Sequence, residues 1–237
     1  MGEPAQKRLV RKLDLERFLS QIKPHPSPNV RLEQYTTPTS VAATVLYLAA
    51  YTYGDIINKR VLDLGCGTGR LALGCAFLGA GSIVGIDIDK LAVKLAAENS
   101  AKLGFKTKVD WITGDINAVA GKFDTVLQNP PFGVQKRGAD KIFLEKALQV
   151  ADAVYSLHNH PFTDETLAGR LRHAELLQVE ASPFIARFVE KHGGIIKAVY
   201  ALPLNIPHMF DFHTKTRREI IIDLYVIRKA NKASCNY

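Results

Sequence analysis

Cysteine is scarce in this 237-residue sequence: there are three, at positions 66, 75 and 235, and no C-x-x-C pair. An odd, scattered set argues against both a disulfide framework and an intrinsic zinc site. Long hydrophobic runs are missing too. The longest, VAATVLYLAAY from Val41, is too short to span a bilayer, and the opening MGEPAQKRLVRK lacks the apolar core of a secretory signal. Repeats and low-complexity tracts are absent. These absences lead to the expectation of a soluble, cytoplasmic, metal-free protein with no membrane partner. Acidic side chains are also short, 23 against 31 Lys and Arg, for a formal charge of +8. That excess favours a polyanionic partner through counterion release, although solvated basic faces account for it equally well. What is present in quantity is apolar: 47% hydrophobic residues suffice for one closed core.

The cations crowd both ends. Lys7, Arg8, Arg11, Lys12, Arg17, Lys23 and Arg31 lie early, and Lys215, Arg217, Arg218, Arg228, Lys229 and Lys232 lie late. If the two ends meet on one face they form a basic rim. Residues 7 to 22 read as an amphipathic helix, with Leu15, Phe18, Leu19 and Ile22 at helical spacing. Thr37 followed by Pro38 reads as a helix start before an apolar-rich helix. From there strands and helices alternate. RVLDLG, SIVGID, KVDWITGD and FDTVLQN are strands, with helices over 70–78, 90–103, 140–155 and 182–192. GIIKAVYAL and REIIIDLYVIRK close the pattern as an antiparallel pair around a turn near 208–216. Alternation with helices of this length implies a mostly parallel sheet covered on both faces.

Three acids follow the strands in order. VLDLGCGTGR sits where the first strand meets a helix, and its glycines permit a tight turn with amides facing a ligand. Gly65, Gly67 and Gly69 are spaced G-x-G-x-G, whereas a dinucleotide loop needs G-x-G-x-x-G and position 70 is Arg. Asp63 would repel a pyrophosphate, but it suits a cationic amino group or a sulfonium. Asp87 ends the second strand, where a carboxylate accepts both hydroxyls of an adenosine ribose; Ile88 beside it joins the same set. Asp89 reads as the cap of the next helix. Asp115 after the third strand is placed to accept from the exocyclic amine of a cofactor adenine, with Ile116 against the ring.

In this order, DLGCGTG, GIDID, GDI and NPPF resemble the class I S-adenosylmethionine methyltransferases that act on amines of planar systems. The segments LEQYTTP, LGAGSIVGIDID, FDTVLQNPPFG, AVYSLH and FHTKTRREIIIDLYVIRK further resemble the methyltransferase-like protein five family, adenine-N6 methyltransferases of small-subunit ribosomal RNA. The resemblance spans Glu33 to Lys229. It implies a Rossmann-like, doubly wound, seven-stranded, mostly parallel α/β sheet with an antiparallel C-terminal strand, and S-adenosylmethionine as cofactor. It also implies contact of Tyr35 and Thr37 with the methionine end of that cofactor, ribosomal RNA as partner, and a small zinc-binding activator protein. Thr37 as a plain helix cap is compatible with its implied role.

The tetrad Asn129, Pro130, Pro131 and Phe132 then acquires a chemical reading. An aromatic exocyclic amine is a poor nucleophile because its lone pair is delocalised into the ring. The side-chain oxygen of Asn129 and the carbonyl of Pro130 together accept its two N–H bonds and turn the lone pair towards a sulfonium methyl. The prolines limit how far those acceptors swing, and Phe132 stacks on a base turned out of its helix or loop. Two other readings stay open. Glutamine-N5 methyltransferases of release factors carry N-P-P followed by Tyr, and guanine-N2 enzymes also use N-P-P-F. A cofactor-binding RNA assembly factor with little catalysis is the second.

The resulting organisation is a basic helix and linker over 1–32, a methyltransferase domain over 33–230 and a frayed tail over 231–237. Residues 159–181 read as a helical surface insertion, with a helix start at Thr163 to Glu165 and Leu167, Leu171 and Ala174 on one face. His158, His160 and His173 lack metal-ligand spacing. His213 with Lys215, Arg217 and Arg218 suits RNA phosphate.

Overall fold

The computed structural model describes residues 9–133, 138–161, 165–207 and 217–230. Five strands run parallel: β1 (Arg60–Leu64), β2 (Ser82–Asp87), β3 (Val109–Thr113), β4 (Phe123–Gln128) and β5 (Ala151–Asn159). They are rich in β-branched residues, and β1 is buried on both faces after its first residue, the pattern of a parallel sheet covered by helices. β6 (Leu177–Gln178), β7 (Gly194–Pro207) and β8 (Arg217–Lys229) complete one sheet of order β3-β2-β1-β4-β5-β8-β7-β6. β8 is antiparallel to β5, and β7 is antiparallel to both β8 and β6.

The sheet has eight strands where seven were expected. The extra one is the two-residue β6, too short to leave an alternating signature. It lies within 159–181, which also holds α6 (Glu165–Leu171); Leu167 and Leu171 pack with Ala201 of β7 in a small core of their own. The helix expected over 140–155 is overturned in its second half. α5 (Ala139–Val150) passes directly into β5 at Ala151, with no Gly or Pro between them. Apolar residues at 144, 147, 148 and 151 prolong the helical period across that junction, so periodicity alone cannot mark it.

α1 (Lys12–Leu19), α2 (Thr39–Tyr47) and α3 (Arg70–Leu78) cover one face of the sheet. Phe18 of α1 stacks on Phe77 of α3 at 4.3 Å and meets Phe105 edge-on at 5.5 Å, which fastens the N-terminal helix to the domain. α5 and α7 (Pro183–Lys191) cover the other face through Leu144, Leu148, Ile185 and Val189. α4 (Lys90–Lys102) begins at Asp89, whose carboxylate accepts from Leu91 N at 2.8 Å, the expected cap. α2 starts one residue later than expected, with Pro38 in the cap position. Among the described residues no helix is long and apolar enough to cross a membrane. The 208–216 turn, His208, His213, Lys215, the start at Thr163 and the 231–237 tail lie outside the described residues.

Topology positions the site. The chain leaves β1 towards β2 and β3, then returns to β4 on the other side of β1, so the order reverses between β1 and β4. Ligands of open α/β sheets bind at that point, outside the carboxyl ends of the strands. Asp63 pairs with Leu127 across β1 and β4 and with Gly85 across β1 and β2. The loops that follow these strands are therefore neighbours.

Candidate active site

A cavity of about 630 Å³ opens at this reversal. Its lining includes Tyr35, Thr37, Asp63, Gly65, Gly67, Asp87, Ile88, Asp115, Ile116, Asn129 and Pro131, eleven of the positions picked from the sequence. Gly69, Pro130 and Phe132 are not part of that lining. Gly69 precedes α3 at φ +88, where a Cβ would come within 2.5 Å of the Trp111 indole; its glycine serves a turn and a close packing contact. Pro130 is buried, and Phe132 is half-buried with its ring 5.7 Å from that of Tyr35.

The glycine loop differs from expectation in one respect. Its amides do not all face the ligand: Gly65 N and Cys66 N donate to Ile86 O, Gly69 N donates to Cys66 O, and Gly67 N donates to Asp87 Oδ2 at 2.8 Å. A loop with four of its amides committed inside the protein is a weaker cradle for phosphate than one that turns them all to the ligand. It fits a nucleoside ligand without a phosphate.

Electrostatics point the same way. Burial, only partly offset by the hydrogen bond from Ala72 N, raises the Asp63 carboxyl to about 7, with the charge of Asp87 adding to the shift. Burial also raises Asp87, against hydrogen bonds from Asp89 N and Gly67 N. Two carboxylates disfavoured in their charged form on one cavity wall are relieved by a cation. Asp115, by contrast, is exposed, and its side chain accepts from Asn117 N while Ile116 is buried beside it.

Asn129, at the end of β4, is pinned from two sides. Tyr35 donates its hydroxyl to Asn129 Oδ1 at 2.8 Å, and Asn129 Nδ2 donates to Thr37 Oγ1 at 2.9 Å. Burial pushes the Tyr35 phenol far above its ordinary value, so it remains a donor. Thr37 thus serves Asn129 instead of capping α2. An amide oxygen accepts twice, and among the described residues Tyr35 is the one donor to Oδ1.

Several contributors were missed in the sequence reading. Arg70, noted there only as a departure from a dinucleotide loop, donates to Thr37 O at 2.5 Å and to Ile22 O at 3.3 Å. Burial lowers its guanidinium to about 10. Gln34 donates to Asp89 Oδ2 at 2.8 Å, and His25 Nε2 lies 3.2 Å from the same oxygen without the alignment of a hydrogen bond. Through Arg70 and Asp89 the segment from Ile22 to Thr37 is tied across the cavity. A basic residue in the third glycine position was the available signal.

Beneath the tetrad, Gln128 Nε2 donates to Ser156 Oγ at 2.8 Å, and Ser156 Oγ pairs with His158 Nε2 at 2.8 Å. All three side chains are buried, and burial lowers the His158 imidazole to about 4, so it is neutral at ordinary pH. Substituting Ser156→Ala leaves two buried polar groups unpaired beside Asn129. Urea denaturation is expected to show a loss of about 1–3 kcal/mol.

Known proteins resemble this chain over most of its length. Residues 42–157 match the methyltransferase small domain. PH1948 from Pyrococcus horikoshii, a solved structure, is 36% identical with a TM-score of 0.78, covering 94% of this chain and 100% of that one. Protein MJ0284 of Methanocaldococcus jannaschii is 38% identical over 93% of this chain and 95% of its own length. The rRNA N(6)-adenosine-methyltransferase METTL5 of Danio rerio is 34% identical over 89% of this chain and 95% of its own length. The chain belongs to the METTL5 family. S-adenosylmethionine is accordingly its cofactor, and the cavity fits it: acids at three strand ends, and carboxylates that a cationic ligand relieves. Membership in the METTL5 family makes the protein a methyltransferase enzyme with a Rossmann-like fold.

Proposed function

We propose that this enzyme methylates N6 of adenosine in ribosomal RNA, with a small-subunit target, in the cytoplasm. The observation that carries the reading is Asn129, held by Tyr35 and Thr37 on the wall of a cavity that Asp87 also lines. When bound, S-adenosylmethionine supplies a methyl group activated on a sulfonium. The residues of the chain divide the remaining tasks. Asp87 takes the ribose hydroxyls, with Ile88 beside it, and Asp115 takes the adenine amine with Ile116 against the ring. Asp63 faces the cationic end, and Gly65, Gly67 and Gly69 shape the turn. Asn129 Oδ1 and the Pro130 carbonyl accept the N–H bonds of the target amine. Pro130 and Pro131 keep these acceptors stiff, and Phe132 with Tyr35 supplies the aromatic side of the base pocket. Orientation and polarisation of the amine are the catalytic contributions, because amide oxygens are too weakly basic to remove its proton first.

The deciding experiment supplies labelled cofactor to the enzyme with ribosomal subunits, naked ribosomal RNA and release factor in separate reactions, followed by nucleoside and peptide analysis. N6-methyladenosine in small-subunit RNA is the expected product. Methylglutamine would select the protein-modifying alternative, and RNA binding without product would select an assembly role. The small zinc-binding activator implied by the family resemblance belongs to this proposal, and adding such a protein is expected to raise the melting temperature of the enzyme.

Asp63 gives the proposal a pH signature. Its carboxyl ionises near 7 in the free protein, and a cationic ligand favours the ionised form. Donor affinity is then complete above pH 7 and falls by up to about tenfold per pH unit below it, until the carboxyl protonates in the complex as well. Titration calorimetry across this range checks the slope, and Asp63→Asn should flatten it. An equal slope in the variant would remove Asp63 from the donor site.

A further inference from the structure

The active-site end of the α5–α7 face carries side chains that neither the fold nor the cavity chemistry uses. Phe184 is 51% exposed at the start of α7, off the buried stripe of Ile185 and Val189. The ammonium of Lys141, at the start of α5, sits 4.5 Å from the centre of the Phe184 ring. Ile142 is 41% exposed and also lines the cavity, so this face is continuous with the cavity mouth. Arg187, one turn along α7, is exposed, with its Nε engaged at Pro183 O. Two acids share α5 with Lys141: Asp140, beside it in the chain, has its carboxylate 3.9 Å from His158 Nδ1, and Glu145, one turn on, has its carboxylate 3.8 Å from His192 Nε2.

We infer that Phe184, Lys141, Ile142 and Arg187 form a stacking platform for a single-stranded RNA nucleotide flanking the target adenosine. The inference rests on the RNA substrate proposed above and adds where the strand runs. Single-stranded RNA is recognised by bases splayed onto aromatic faces, with cations on the adjoining phosphates. The face offers both. Phe184 is a ring with apolar Ile142 leading from it to the cavity, and Lys141 and Arg187 flank the ring as two cations. A base stacked on Phe184 displaces Lys141 from the ring towards the phosphate. Because the side chain lies outside the apolar stripe of α7, the fold does not depend on its bulk.

The test measures binding of the full chain to a fluorescein-labelled RNA hairpin with an adenosine-containing loop, by anisotropy, alongside donor affinity by calorimetry. Phe184→Ala is expected to weaken RNA binding about tenfold, with donor affinity unchanged. Phe184→Trp should restore it, and Phe184→Leu should not, since leucine keeps apolar bulk without a π face. Lys141→Ala should reduce the dependence of log K on log salt by about one phosphate contact. Wild-type RNA affinity in Phe184→Ala overturns the inference, as does full rescue by leucine, which would assign the face to a protein surface. The two proposals fail separately. Absence of N6-methyladenosine from ribosomal RNA defeats the proposed function, whereas unchanged RNA affinity in Phe184→Ala defeats only the platform.

Discussion

Replacing Asn129 with alanine is expected to lower methyl transfer by about 10²–10³-fold at saturating substrates, the usual cost of deleting one preorganised polar group at a reacting centre. Donor affinity should change no more than a few-fold. The separation follows from where Asn129 sits. Its amide meets Tyr35 and Thr37, on the segment across the cavity, while Asp87 and the glycine loop make their hydrogen bonds with each other. Alanine leaves the Tyr35 hydroxyl and Thr37 Oγ1 without their partner, so a modest fall in stability accompanies the lost activity. Asn129→Asp is the informative companion. It keeps an oxygen for Tyr35 but loses the donor to Thr37, and it should retain more activity than alanine. Single-turnover rates with separate calorimetry on the donor distinguish these outcomes, and full activity in Asn129→Ala would remove the residue from the mechanism.

Asp87→Ala should have the opposite signature. Donor affinity is expected to fall by about 10–100-fold, the worth of charge-assisted hydrogen bonds to a half-buried carboxylate, and kcat at saturating donor should be largely kept. Part of the loss is indirect. Asp87 Oδ2 accepts from Gly67 N at 2.8 Å and Oδ1 from Asp89 N at 2.9 Å, so alanine also frees the glycine loop and the start of α4. Asp87→Asn retains one acceptor, so it should preserve more of the loop while still losing the charge. Calorimetry showing unchanged affinity in Asp87→Ala would exclude it from the ribose position.

The sequence was most legible where chemistry and topology coincide. Asp63, Asp87 and Asn129 each stand at or next to the carboxyl end of a buried strand, and residue type plus strand order were enough to bring them to one cavity. Legibility failed where an effect depends on a partner distant in the chain. An Arg at position 70 marks itself as unusual but does not name its partners Thr37 and Ile22, and Gln34 does not name Asp89, because each partner is 33 to 55 residues away. Gly69 shows the converse failure. Its place in a glycine-rich loop suggested ligand contact, yet Trp111 packing and a positive φ account for it. The α5–β5 junction was misread for a third reason: the alanines and apolar residues around Gln149 and Asp152 satisfy both periods, and sheet pairing with β4 and β8 decides.

The amine-shaping role proposed for Asn129 and Pro130 is tested most directly by a crystal structure of the enzyme with its spent cofactor and an adenosine-containing RNA. The account predicts the target N6 within about 2.7–3.2 Å of both Asn129 Oδ1 and the Pro130 carbonyl, with the Tyr35 hydrogen bond intact. An Asn129 amide turned away from the bound base, with N6 held by other groups, would contradict it.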